Sequence, residues 1–247
     1  GESTMNKIIC ENYDKMSKMA AQIVSDQIKS KPDSVLGLAT GSTPIGMYKE
    51  LVRMFQAGEL DFAKVITFNL DEYYRIEKNN QQSYHYFMNE HLFKHININP
   101  ENTHIPDGNT ESVEKECKNY DNMIKKAGGI DLQVLGLGIN GHIGFNEPDS
   151  ELIAYTHLTP LKQKTIQANS RFFNSIDEVP KHAITMGMAN ILQAKKILLL
   201  ISGKNKAEIA HKIFNGKITT NIPASFLQLH PDTTVIMDRE AAEYIEF

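Results

Sequence analysis

Cysteine is scarce in this sequence, positive charge is not in excess, and no apolar run approaches the ~20 residues needed to span a bilayer. The two cysteines, Cys10 and Cys117, lie far apart with no metal-ligand partners nearby, so they read as reduced packing thiols and not as a disulfide framework. A formal charge of -4, with no long basic stretch, leaves no surface for a nucleic acid, which needs clustered Lys and Arg to displace counterions. No membrane partner is expected either. The N-terminus lacks a charged head followed by an apolar segment, so the chain is expected to be cytoplasmic. Gly1 to Thr4 precede Met5 and read as an expression scar. Residues 5–247 are then expected to form one domain.

Several catalytic signatures are missing too. There is no HExxH pair, no histidine pair at ligand spacing beside a Cys or Asp cluster, and no G-x-S-x-G nucleophile turn. No metal and no cofactor is therefore expected.

What the sequence does have is alternation. Short aliphatic or β-branched runs at Lys7–Cys10, Val35–Ala39, Val65–Asn69, Leu132–Leu137, Lys196–Ile201 and Thr234–Met237 read as strands buried on both faces. Between them lie amphipathic runs. Helices are expected over Met16–Lys29, Ser83–Phe93, Glu111–Ala127, Ile184–Gln193 and Lys206–Asn215, with a short one near Ala224–Leu229. Another is expected from Pro44 to about Gln56, with Thr43 as its N-cap. The fold class is thus α/β: a Rossmann-like, mainly parallel sheet flanked by helices. Residues 149–180 fit least well, with prolines and one helical piece near Thr165–Phe173, and read either as a lid or as an ordinary irregular excursion.

Ligands of open parallel sheets bind beyond the carboxyl ends of the strands, so the polar clusters there carry weight. Gly41, Ser42 and Thr43 offer a flexible turn, two hydroxyls and a helix N-terminus suited to a phosphate, though a plain helix cap accounts for them as well. Lys206 follows a similar strand end and adds a point charge. Asp71 and Glu72 are adjacent, and their side chains should diverge, so one at most reaches a given ligand atom. Gly136, Gly138 and Gly141 match the spacing of a dinucleotide fingerprint. The residues after Gly141 are too rich in Gly and Asn to open a helix, so these glycines mark close approach of backbone to a ligand. Asn140, His142 and Glu147 fall within the same segment, an imidazole beside a carboxylate able to raise its basicity. The pattern reads as acid–base chemistry on a phosphorylated small molecule.

These segments also resemble a known family. GLATGSTPIGMY (37–48), FNLDEYY (68–74), SYHYFMNEHLF (83–93), LGLGINGHIGFNEP (135–148), ANSRFF (168–173), SGKNKA (202–207) and ASFLQLHPDTTVIMD (224–238) are similar in order and spacing to the glucosamine-6-phosphate deaminases. The resemblance implies conversion of glucosamine 6-phosphate and water to fructose 6-phosphate and ammonia. It puts Ser42, Thr43, Arg171 and Lys206 at phosphate-binding positions, Asp71 at the proton acceptor for enolisation, and His142 with Glu147 at the ring-opening groups. Arg171 comes from the resemblance alone. The sequence departs from the family pattern at Asn140, where some members carry an aspartate; an amide cannot act as a base, so Asn140 is expected to orient His142. It departs again at His157 and Thr159, near which allosterically activated hexameric members carry an arginine and a lysine and beyond which they have a longer tail. No activation by N-acetylglucosamine 6-phosphate is expected, and the assembly should be a monomer or a small homo-oligomer. Two other readings share this architecture: a 6-phosphogluconolactonase, which lacks the FNEP continuation, and a non-catalytic sugar-phosphate sensor, which should carry a DNA-binding extension.

Overall fold

Strand β1 (Asn6–Cys10) enters helix α1 (Tyr13–Ser30) through Asn12, whose side chain accepts the Lys15 backbone N–H and caps the helix. A computed structural model describes residues 5–246; the expected scar at 1–4 lies outside the described residues. Next come β2 (Val35–Leu38), α2 (Ile45–Gln56), β3 (Ile66–Asn69) and β4 (Asp71–Tyr73), then α3 (Tyr84–His91), β5 (Thr103–His104) and α4 (Val113–Lys126). The second half runs β6 (Leu132–Gly136), β7 (His157–Pro160), α5 (Gln163–Asn169), β8 (His182–Thr185) and α6 (Met188–Leu192). It ends with β9 (Lys196–Ile201), α7 (Ala207–Lys212) and β10 (Thr233–Asp238).

Seven strands form one sheet in the order β1-β10-β9-β6-β2-β3-β5, every pair parallel. Its strands are apolar on both faces because both are covered. Leu36, Leu38, Val134 and Leu200 face α1 and α2 through Met16, Val24, Tyr48 and Leu51. The alternate positions Val35, Phe68, Leu135 and Leu199 face Tyr120, Ile191 and Ala210 of α4, α6 and α7. After β2 the chain moves outward toward β3, and after β6 it moves the other way toward β9. The crevice where strand order reverses therefore opens between the ends of β2 and β6, where an open sheet of this kind holds its ligand.

Three departures from the sequence reading matter for the site. First, Ile184 opens no helix: β8 pairs antiparallel with β4 on one side and β7 on the other, a second, three-stranded sheet, and α6 starts only after Gly187. The β-branched Ile184 and Thr185 suit that doubly paired strand, and non-local pairing decided what local pattern left open. Second, α2 starts at Ile45 behind Pro44, and Thr43 does not cap it. The Tyr13 hydroxyl closes that turn instead, lying 3.0 Å from the Ser42 and Thr43 carbonyls and accepting the Gly46 N–H at 2.9 Å. Third, the 149–180 excursion holds β7, α5 and two 3-10 turns, fastened to β8 by strand pairing and to β4 by the Asn169 amide, which donates to the Tyr73 hydroxyl at 3.3 Å.

Candidate active site

A cleft of about 690 Å³ lies over the reversal point. Gly41, Ser42 and Thr43 line it from the end of β2, Asp71 from β4, Asn140, His142 and Glu147 from the loop after β6, and Lys206 from the loop after β9. Gly41 takes φ +92, the left-handed turn that favours glycine, as the chain leaves β2. With the cap role taken by Tyr13, the Ser42 and Thr43 hydroxyls make no hydrogen bond among the described residues and are free to meet a ligand.

Asp71 stands where the chain leaves the parallel sheet and joins the small one. Leu70, the single residue between β3 and β4, donates to Leu38 of the large sheet and accepts from Met186 beyond β8. Asp71 is 7% exposed, and burial, followed by the neighbouring Glu72 charge, pushes its carboxyl up to about 8. Glu72 points the other way, as strand alternation requires, and accepts the backbone N–H groups of Tyr73, Tyr84 and His85. One carboxylate faces the cleft, the other the first turn of α3.

The segment after β6 builds the second chemical group. Asn140 Oδ1 lies 2.7 Å from His142 Nδ1 and also accepts the His142 backbone N–H at 3.1 Å. Asn140 Nδ2 donates to Glu147 Oε2 at 2.7 Å, and Glu147 Oε1 lies 3.5 Å from His142 Nδ1. An oxygen that accepts a backbone N–H, on an amide whose nitrogen donates to a carboxylate, fixes the amide orientation and requires His142 to carry its proton on Nδ1. Nε2 is then the free lone pair. Burial lowers the imidazole pKa below its usual value, Glu147 works against that, and Lys206 adds to it.

The glycines here clear room for the site's own side chains. A Cβ on Gly138 would lie 2.1 Å from His142 Cε1 and Nδ1, and one on Gly144 would lie 3.1 Å from Thr185 Oγ1 and 3.8 Å from Asp71 Oδ2. No helix opens at Gly141, as its sequence context requires.

Lys206 and Arg171 differ. The Lys206 ammonium donates to the Leu137 carbonyl, and burial lowers its pKa. Arg171 does not line the cleft; its guanidinium lies 4.6 Å from the Phe172 ring centroid on the exposed side of the arm. Lys162, Lys164 and Thr165 line the cleft instead, and sequence reasoning missed them, along with Tyr84 and Phe145. The signal for the first two was a pair of lysines just before the expected helical piece. Tyr84 and Phe145 stack with centroids 6.4 Å apart and planes at 8°, an apolar wall beside Asp71.

The sequence matches the family of glucosamine-6-phosphate isomerases and 6-phosphogluconolactonases over residues 11–236. It is 59% identical over 241 residues to the glucosamine-6-phosphate deaminase of Thermoanaerobacter pseudethanolicus, spanning 98% of this chain and 95% of that one. It is 56% identical over 242 residues to that of Clostridium perfringens, spanning 98% and 100%. The solved structure of a monomeric glucosamine-6-phosphate deaminase superposes with a TM-score of 0.92 at 49% identity, over 97% of this chain and 99% of the other. A 6-phosphogluconolactonase from Leishmania guyanensis, at 19% identity and a TM-score of 0.75 over 98% and 99%, shares the fold.

Proposed function

The chain belongs to the family of glucosamine-6-phosphate isomerases and 6-phosphogluconolactonases, and within it we propose a glucosamine-6-phosphate deaminase, converting glucosamine 6-phosphate and water to fructose 6-phosphate and ammonia. The observation that carries this reading is the pairing, in one cleft, of a buried carboxyl at Asp71 with a separate His142–Asn140–Glu147 group. A lactone hydrolysis needs one water-activating group. Opening an amino-sugar ring and then isomerising it needs two proton acceptors, one for the anomeric hydroxyl and one for the C2 proton.

The phosphate sits against Gly41, Ser42, Thr43 and Lys206, with Arg171 recruited when the 149–180 arm closes. His142 Nε2 takes the proton of the anomeric hydroxyl and returns it to the ring oxygen, opening the pyranose to an aldehyde. Glu147 stabilises the imidazolium, and Asn140 holds its orientation. Asp71 then removes the C2 proton, which the C1 carbonyl has made acidic, and an enolamine forms. Protonation at C1 gives the C2 imine; water adds at C2 and ammonia leaves. Each step is a proton transfer, a hydration or its reverse, and binding of the remote phosphate orients C1 and C2 against the two bases.

We place the enzyme in the cytoplasm, where buried thiols such as Cys10 and Cys117 stay reduced; no helix among the described residues is long and apolar enough to cross a membrane. A monomer or small homo-oligomer without N-acetylglucosamine 6-phosphate activation is supported by the similar solved deaminase, which is monomeric. The decisive assay mixes the protein with glucosamine 6-phosphate and follows ammonia and fructose 6-phosphate together. Equal amounts of both are expected. A folded protein that binds the sugar and releases neither is not a deaminase.

A further inference from the structure

Glu72 lies outside the cleft lining and is 1% exposed, yet it adjoins the residue that the reaction uses at C2. Its carboxylate is densely bonded: Tyr73 N–H at 2.9 Å, Tyr84 N–H at 3.0 Å to each oxygen, His85 N–H at 3.0 Å, and the His85 ring Nδ1 at 2.7 Å. Four of these five contacts come from the first turn of α3, whose unpaired N–H groups favour an anion. Ser83 already caps that turn through the Tyr86 N–H. Glu72 therefore does more than a helix cap requires.

Two consequences reach Asp71. The first is geometric: α3 begins at Tyr84, so the bonds from Glu72 fix where the Tyr84 ring enters the wall of the cleft, against Tyr73 with centroids 4.8 Å apart. The second is electrostatic: a carboxylate withdrawn from water interacts strongly with its neighbour through a low-dielectric interior. The groups around the pair are few. From β4 and α3 come Tyr73, Tyr84 and His85, with Glu116 of α4 beyond His85. From α4 comes Tyr120, and across the cleft stand His142, Glu147 and Lys206. Gly108 closes the back: a Cβ there would lie 1.9 Å from the Tyr73 carbonyl oxygen and 3.3 Å from Glu72 Cγ.

We propose that Glu72 is a positioning residue for the C2 base, tying the strand that carries Asp71 to the first turn of α3, fixing the Tyr84 wall and keeping a second negative charge behind Asp71. It touches no substrate. Burial does most to make the Asp71 carboxyl basic enough to accept the C2 proton, and the Glu72 charge adds to it. The proposal rests on Asp71 being that base, and its test separates the two ideas.

The experiment uses the whole protein with ¹³C-carboxyl-labelled aspartate, Asp71→Asn serving to assign the Asp71 signal. In the wild type the Asp71 signal titrates near pH 8, and in Glu72→Gln, which keeps the side-chain length but not the charge, the midpoint drops by ~1 pH unit. Solvent deuterium uptake at C2 of glucosamine 6-phosphate falls ~10-fold in the same variant, and its low-pH limb moves down with the midpoint. A Glu72→Gln protein that melts earlier but leaves the midpoint unmoved has lost a structural bond only, and the proposal fails. Should that variant not fold, Glu72→Asp keeps the charge and shortens the reach: its Asp71 midpoint stays near that of the wild type while C2 exchange slows ~10-fold, and unchanged exchange overturns the positioning role. The NMR midpoint needs no turnover, so a wild type that releases no ammonia sinks the deaminase reading and leaves the Glu72 comparison standing.

Discussion

Asn140 holds His142 through two contacts to a single oxygen, the ring Nδ1 at 2.7 Å and the backbone N–H at 3.1 Å. The amide thereby chooses the imidazole tautomer, and its own orientation is set by Glu147. Replacing Asn140 by leucine removes both constraints and leaves Glu147 as the one remaining partner of the ring. Nitrogen NMR of the His142 ring should show one tautomer in the wild type and a mixture in Asn140→Leu, with kcat lower by ~100-fold. Equal kcat in the two proteins would remove Asn140 from the mechanism.

Asp71 carries a stability cost that rises with pH. Its carboxyl, pushed up to about 8 in the folded protein, keeps a proton that the unfolded chain releases above pH ~4. That contribution to stability is whole below pH ~4 and is lost as pH rises through about 8. Asp71→Asn should lack C2 exchange and yet melt higher than the wild type above pH 8, by on the order of 2 kcal/mol or about 5 °C, with the gap closing toward pH 4. A constant difference across that range would mean that the Asp71 carboxyl is not perturbed.

Lys206 and Arg171 should separate in binding. Lys206, half-buried and already bonded to the Leu137 carbonyl, lines the cleft beside the proposed phosphate position, so Lys206→Gln should weaken binding of any sugar phosphate, unreactive ones included, by ~10-fold or more. Arg171 lies outside the cleft, over the Phe172 ring, and on the proposed reading reaches the substrate only if the arm moves. Calorimetry on Arg171→Gln should show inorganic phosphate bound as in the wild type, with KM for glucosamine 6-phosphate raised several-fold. Equal losses of phosphate affinity in both variants would place the two residues in one preformed site.

Gly138 should be intolerant of the smallest side chain. A methyl there collides with the His142 ring at 2.1 Å, so Gly138→Ala must displace the imidazole. We expect kcat to fall ~100-fold with Asp71-dependent C2 exchange retained on an open-chain aldehyde analogue, since only ring opening is impaired. Loss of exchange on the analogue as well would point to collapse of the whole cleft.

Much of this could be read from the chain, for identifiable reasons. The six expected strands all form, because a run such as Leu132–Leu137, apolar at nearly every position, has few places to go except a sheet covered on both faces. His142, Asn140 and Glu147 are within eight residues of one another, so local sequence brought them together. The small sheet was hidden. Its strands β4, β7 and β8 come from three distant segments, are three or four residues long and carry no strict alternation, so only their mutual pairing defines them. Tyr84 and Phe145 were missed for the same reason, since a cleft wall assembled across sequence leaves no local mark, whereas Lys162 and Lys164 left one in their spacing.

The change of sheet at Leu70 sets the walls of the cleft on two sheets that meet beside Asp71. The turn at Gly41–Thr43 and the loop after β6 leave the parallel sheet, while Asp71 lies on the small one, to which that loop is bonded where the Phe145 N–H donates to Thr185 Oγ1 and Asn146 Nδ2 to the Met186 carbonyl. Substitutions within β8 should therefore move Asp71 and the His142–Glu147 loop together, with the turn after β2 as the fixed reference.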